Sequence, residues 1–228
     1  MQLSSLEDIV SERVVALIVG RSGAGKTSLA KDLPEDRTLI ISVESGLLAL
    51  KKYKLKTKVK EIKTMKDLKD VYLFLSQDET KKQFDNVFID SITELGEVLL
   101  AELKTSKEYL DPKMALKMYG QYNDDFTAFV KAVRDMKPYS IFFTCLNSYE
   151  KDGLQMVEEF NFPGAKVKAN IKAWFDLVMK YEIFEADGIK HRMLITDDSI
   201  NPLAKDRSGM LDQYEKANLQ AIKEKILS

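Results

Sequence analysis

Residues 14–27 read VVALIVGRSGAGKT, and this stretch decides the fold. Val14 to Val19 is an unbroken apolar run, rich in β-branched residues, with no polar alternation. That is the pattern of a strand buried on both faces, as in parallel sheets. Gly20, Arg21, Ser22, Gly23, Ala24, Gly25, Lys26 and Thr27 then fit G-x-x-x-x-G-K-[ST] throughout. The glycines let the backbone curl so that successive N–H groups point at phosphate oxygens. Lys26 reaches the β and γ phosphates, and the Thr27 hydroxyl ligates Mg²⁺. The following SLAKDL, beginning at Ser28, opens a helix whose N-terminus adds partial positive charge. Gly20 to Ser28 is therefore the candidate nucleotide site.

Working outward, three further apolar runs recur: Thr38–Val43, Asn86–Asp90 and Ile141–Cys145. Between them Thr64–Leu75 and Asp124–Met136 carry apolar residues at helical spacing. Alternating strand and helix predicts an α/β fold with a mostly parallel central sheet and flanking helices. The tail differs. Phe175–Glu185 and Ile189–Thr196 flank Ala186-Asp187-Gly188, a hairpin signal, and an amphipathic helix is expected from about Leu211 to Leu227. No internal repeat or low-complexity linker divides the chain, so residues 1–228 read as a single domain.

Two carboxylates sit where ligands of such sheets bind. Asp90 ends the third run, facing the Mg²⁺ of a bound nucleotide; the competing role for it is a helix N-cap. Glu44 follows the second run, placed to orient and deprotonate a water. From position alone, a solvent-exposed loop glutamate stands as the alternative.

The order of phosphate loop, VESG after the second strand and VFIDS after the third resembles the RecA-like ATPase core. That resemblance implies ATP, with Glu44 as catalytic base, Asp90 as Mg²⁺-associated acid, and an extra strand and helix at Lys58–Ile62 and Thr64–Leu75. The chain is also similar to short phage-encoded nucleotide-binding proteins of the AAA/RecA type, some of which look like minimal recombinases promoting single-strand annealing. They share the length, the VESG segment and a C-terminal element that reads here Ala204-Lys205-Asp206-Arg207-Ser208-Gly209. This is similar to the K-x-R-x-G element of RecA-like ring ATPases, which implies self-association. It makes Lys205 and Arg207 catalytic residues acting on a neighbour's γ-phosphate, against a solvated turn as the plain reading. An arginine finger is worth about 10³–10⁵ in rate where well studied. A polar sensor after the fourth strand is implied, and Thr144 and Asn147 both qualify.

The same resemblance implies single-stranded DNA as partner, held by two loops. The first lies within Leu95–Asn123. The second is Asn147–Ala173, with Lys151, Lys166, Lys168 and Lys172 for phosphates and Phe160, Phe162 and Trp174 for base stacking. The plain alternative is a solvated loop diluted by Asp152, Glu158 and Glu159. Lys51–Asp70 is the most basic window, with nine lysines against three acids, a net of +6. Lys52, Lys54, Lys56, Lys58 and Lys60 alternate, so in an extended strand they share a face. That predicts a lysine-guarded edge strand, with a secondary polyanion surface as the alternative.

Composition bounds these readings. Lys plus Arg is 35 and Asp plus Glu is 36, a net charge of −1, which excludes a protein that coats nucleic acid by bulk charge. One cysteine, Cys145, and one histidine, His191, leave no disulfide framework and no zinc cluster. No run approaches the ~20 apolar residues of a membrane span, and no signal peptide is read at the start. A soluble, cytoplasmic protein is expected, in a bacterial host if phage-encoded. Two other functions fit a phosphate loop in a chain of this length. One is a small-molecule kinase, although the late sequence holds only Arg192 and Arg207 for a lid. The other is a nucleotide-gated accessory of a DNA-processing complex.

Overall fold

In the computed structural model, residues 12–43 and 46–228 are described. The phosphate-loop strand is β1 (Val15–Gly20), followed by β2 (Thr38–Ser42), β3 (Lys58–Glu61) and β4 (Asn86–Asp90). Next come β5 (Ser140–Asp152), β6 (Gln155–Phe160), β7 (Leu177–Ala186) and β8 (Ile189–Ile195), with short β9 (Lys205–Asp206) and β10 (Tyr214–Lys216). The helices are α1 (Leu48–Lys51), α2 (Met65–Ser76), α3 (Asp78–Gln83), α4 (Ile92–Thr105), α5 (Ala115–Arg134), α6 (Ala165–Trp174) and α7 (Leu219–Leu227).

The sheet runs β10-β8-β7-β1-β5-β4-β2-β3. From β7 to β3 every neighbouring pair is parallel. The fold is thus the α/β architecture with a mostly parallel central sheet and flanking helices that the apolar runs predict. Its strands are apolar without alternation because helices cover both faces. On one face Leu17, Val19, Ile89 and Phe143 pack against α2, α4, α5 and α6. On the other Ala16, Ile18, Phe88 and Phe142 pack against the segment after the phosphate loop and α7. Cys145 belongs to the first of these clusters, with Val19 and Phe143, and burial pushes its thiol up to about 12.

The structure changes several boundaries. The segment after the phosphate loop is a six-residue 3₁₀ turn, Thr27–Asp32, rather than the opening of an α-helix expected from Ser28. Pro34 explains the early stop, since it disfavours helical backbone in the residue before it. Only Lys58–Glu61 of the lysine-rich window is strand, so Lys52, Lys54 and Lys56 share no extended face with Lys58 and Lys60. Strand β3 is nevertheless the edge of the sheet, and all its residues are exposed. Met65–Ser76 keeps its predicted start because Thr64 and Asp67 form a reciprocal capping box. The C-terminal helix begins at Leu219, after β10 has joined the sheet.

Two stretches read as loops are ordered structure. Residues 95–123 lie on α4, two single 3₁₀ turns and the start of α5. Residues 147–173 are the end of β5, which turns back as the antiparallel β6, and then most of α6. Phe160 and Phe162 are core residues and cannot stack on bases; Phe162 packs on Phe126 at 5.4 Å. Between Asn147 and Glu159 the side chains carry no core pattern, because this hairpin projects from the sheet and buries little.

Around α5 the packing is tight. The Tyr122 ring stacks on Phe126 at 5.7 Å. A β-carbon added to Gly164 would lie 2.7 Å from the Tyr122 ring and 2.4 Å from Asn123 Oδ1. The Tyr122 hydroxyl is buried with no hydrogen-bond partner. A buried polar group without a partner is costly. Tyr122→Phe is therefore expected to stabilise the fold by about 1 kcal/mol, and Gly164→Ala to destabilise it by about 1–3 kcal/mol. Urea unfolding monitored by circular dichroism checks both signs.

Candidate nucleotide site

Three neighbouring parallel strands deliver the site to one edge of the sheet. Strand β1 ends at Gly20, where a β-carbon would lie 3.0 Å from the Tyr181 carbonyl oxygen on β7; glycine is the residue that fits. The loop then turns through Gly23 at φ +70° and Gly25 at φ +108°, a left-handed backbone that other residues rarely adopt. This is the conformation that aims successive amides at one point. Ala24 is buried and anchors the loop to the core, whereas Arg21, Ser22 and Gly23 are exposed. Behind the loop stand Tyr181 and Arg192. The Tyr181 hydroxyl lies 3.4 Å, and Arg192 Nε 3.9 Å, from where a Gly25 β-carbon would be.

Lys26 is buried and its ammonium folds onto the loop, donating to the Gly20 carbonyl at 2.8 Å and the Arg21 carbonyl at 2.9 Å. Thr27 Oγ1 donates to Asp90 Oδ2 at 2.6 Å. Thr144 Oγ1 donates to the other carboxylate oxygen, Asp90 Oδ1, at 2.5 Å. Asp90 is 2% exposed, so these hydroxyls are what make its burial tolerable. Asp90 is not the helix N-cap: Ser91 holds that position, accepting from the Glu94 amide. The strand-ending carboxylate is thereby left to serve the phosphate loop.

Thr144 and Asn147, which the sequence leaves open as sensor, have different surroundings. Thr144 is buried against Asp90, on the strand that pairs directly with the loop's own strand. Asn147 stands at the base of the β5–β6 hairpin and donates to Glu158. Glu44 lies outside the described residues.

Lys205 and Arg207 are at the opposite edge of the sheet. Lys205 pairs in register with Val178 near the start of β7. Its ammonium donates to the carbonyls of Lys172 and Phe175, and burial, then the neighbouring Arg207, pulls it below the ordinary lysine value. Arg207 is exposed and pairs with Asp176 at 2.9 Å. Neither can touch the phosphate loop of its own chain. Of the candidate DNA lysines, Lys168 pairs with Glu150, Lys166 reaches Asp124 at 3.4 Å and Lys172 donates to the Pro202 carbonyl at 2.7 Å. Lys151 is exposed near the hairpin tip.

A buried ion network beside the loop is not legible in the sequence. Lys180 of β7 is fully buried and ion-paired to Glu158 and Glu182. A single lysine inside VMKYE carries no spacing signal, and its partner Glu158 is brought to it by a hairpin that reads as a loop.

A family model described as an AAA domain matches residues 12–208, and the chain belongs to that family. It is therefore an AAA-type, P-loop nucleotide-binding ATPase domain. No curated protein matches it. Among the described residues no helix is long and apolar enough to cross a membrane.

The residues fit the Mg²⁺–nucleotide that such a domain implies. The left-handed glycines form the amide cradle, and the Thr27 hydroxyl with the Asp90 carboxylate is a hard oxygen set suited to Mg²⁺. Thr144→Val removes one hydroxyl from a buried carboxylate at nearly constant volume. It is expected to cost about 1–3 kcal/mol of stability and to weaken nucleotide affinity more with Mg²⁺ present than with chelator. Chemical unfolding and fluorescent-nucleotide titration measure the two effects; equal losses with and without Mg²⁺ would disconnect Thr144 from the metal side of the site.

Proposed function

We propose that this chain hydrolyses ATP with Mg²⁺ and acts as an oligomer on single-stranded DNA, in recombination or annealing of the phage type. The observation that carries the ATPase reading is the Thr27–Asp90 hydrogen bond beside a left-handed glycine loop. When bound, Mg²⁺–ATP supplies the γ-phosphoryl group and the charge that neutralises it. Loop amides from Gly20 to Ser28 hold the phosphates. Lys26 exchanges its carbonyl partners for phosphate oxygens. Thr27 offers its hydroxyl to the metal while Asp90, fixed by Thr144, keeps that hydroxyl oriented. Glu44 is assigned the base that takes a proton from the attacking water.

Arg207, exposed at the far edge and too distant from its own loop, suits a role on a neighbour's γ-phosphate. Lys205 supports the same edge by tying β9 to the end of α6. The DNA reading rests on the resemblance and on a projecting hairpin with Tyr149, Lys151 and Met156 exposed, close to the nucleotide edge. Lys166, Lys168 and Lys172 lie on α6 behind it.

ATPase rate per chain is expected to rise with protein concentration and to change when single-stranded oligonucleotide is added. A rate per chain independent of concentration argues against sites shared between chains. Unchanged turnover, with no oligonucleotide binding at low salt, argues against the DNA partner. Glu44→Gln is expected to keep nucleotide binding and lower hydrolysis by about 10²–10⁴; hydrolysis that survives it places the base elsewhere. Mixing Arg207→Ala with a phosphate-loop variant is expected to restore part of the activity each lacks.

A further inference from the structure

Lys180 lies fully buried one strand from the phosphate loop, opposite Val19 in the parallel β1–β7 pair. A buried ammonium needs matched charge, and two carboxylates supply it. Glu158 of β6 accepts from Lys180 Nζ in a short ion pair, and Glu182 of β7 lies 3.3 Å away through Oε2. The other Glu182 oxygen, Oε1, holds Arg21 of the phosphate loop at 3.5 Å. Glu158 also accepts from Asn147 Nδ2, and from Asn201 Nδ2 at 2.8 Å. The contacts thus run Arg21–Glu182–Lys180–Glu158–Asn147, from the phosphate loop to the base of the β5–β6 hairpin.

Coupling between two places needs an element with two arrangements. Lys180 offers them, being one ammonium between two carboxylates. Arg21 balances the second carboxylate, but its side chain is 60% exposed and the contact is long, so this is the weak link. Asn147 Oδ1, at the same junction, is buried without a hydrogen-bond partner, so the present arrangement leaves a cost unrelieved. The hairpin can respond. Residues 147–152 of β5 pair only with β6 among the described residues, and an isolated two-stranded ribbon is marginally stable. Its tip carries Leu154, fully exposed, beside Met156.

We infer that Lys180 is a positioning residue that couples the phosphate loop to the β5–β6 hairpin. An anion arriving at the loop draws Arg21 from Glu182; Glu182 then competes with Glu158 for the Lys180 ammonium, and the hairpin loosens. This rests on reading Gly20–Ser28 as the nucleotide site, so nucleotide binding is measured separately.

Hydrogen–deuterium exchange of amides 148–158, with and without Mg²⁺–ATPγS, tests it, with binding followed in parallel by a fluorescent ATP analogue. In the wild-type chain, saturating nucleotide is expected to speed hairpin exchange about fivefold or more. Glu182→Gln removes the competing charge on a partly exposed side chain. It is expected to bind nucleotide while its hairpin no longer responds. Glu158→Gln is expected to exchange fast with or without nucleotide. Because coupling is reciprocal, it is also expected to bind nucleotide more tightly by the same factor. A merely structural ion pair would slow or speed exchange but leave the nucleotide-dependent difference in Glu182→Gln intact, and that result overturns the proposal. So does an unresponsive wild-type hairpin in protein that binds the analogue, with the nucleotide site left standing. Absence of analogue binding overturns both. Should Glu158→Gln fail to fold, the Glu182→Gln arm decides alone.

Discussion

Asp90 holds the site together. A carboxylate that is 2% exposed at the end of a buried strand persists only if its oxygens are matched, and two threonine hydroxyls match them. Thr27 comes from the phosphate loop, and Thr144 comes from the next strand. Together they fix the relative position of three chain segments at one edge of the sheet. Strand order follows the same logic: β5 lies between β1 and β4, so Thr144 stands between the loop and the acid. The parallel sheet, covered on both faces, is what allows so little water near Asp90.

The antiparallel additions have another character. Both β5–β6 and β7–β8 run past the parallel core, with residues on their outer halves exposed. They bury little and are tied down by polar contacts. The Lys180 network is such a tie on the first hairpin, and the Arg21–Glu182 pair is one on the second. Projections held by a few charged contacts are the parts of a fold that open at low cost. The far edge, with Lys205 and Arg207, is instead tied to carbonyls at the end of α6 and to Asp176. Nucleotide chemistry and the proposed trans-acting Arg207 therefore occupy opposite edges of one sheet.

Much of this was legible in the sequence. The apolar runs at Val14, Thr38, Asn86 and Ile141 all became parallel strands because two-sided burial leaves no polar alternation. The glycine loop and Asp90 were readable because phosphate chemistry demands fixed residue types at fixed spacing. Lysine alternation located the sheet edge but overstated its length, since the turn after α1 takes up Lys52 and Lys54 and the strand begins only at Lys58. The hairpin at Asn147–Phe160 was not legible. Its strands bury almost nothing, so their side chains carry no core pattern, and two phenylalanines assigned to DNA were in fact the core beneath it. The Lys180 network was hidden for a related reason: its partners are distant in sequence and meet only through that hairpin.

The central claim is that the glycine loop and Asp90 hold one Mg²⁺–nucleotide per chain. Calorimetric titration of ATPγS into the wild-type chain and into Lys26→Ala, each with Mg²⁺ and with chelator, tests it most directly. The account predicts a single site per chain that needs Mg²⁺ and is lost in Lys26→Ala. Equal affinity in the two proteins, or binding indifferent to Mg²⁺, would contradict it.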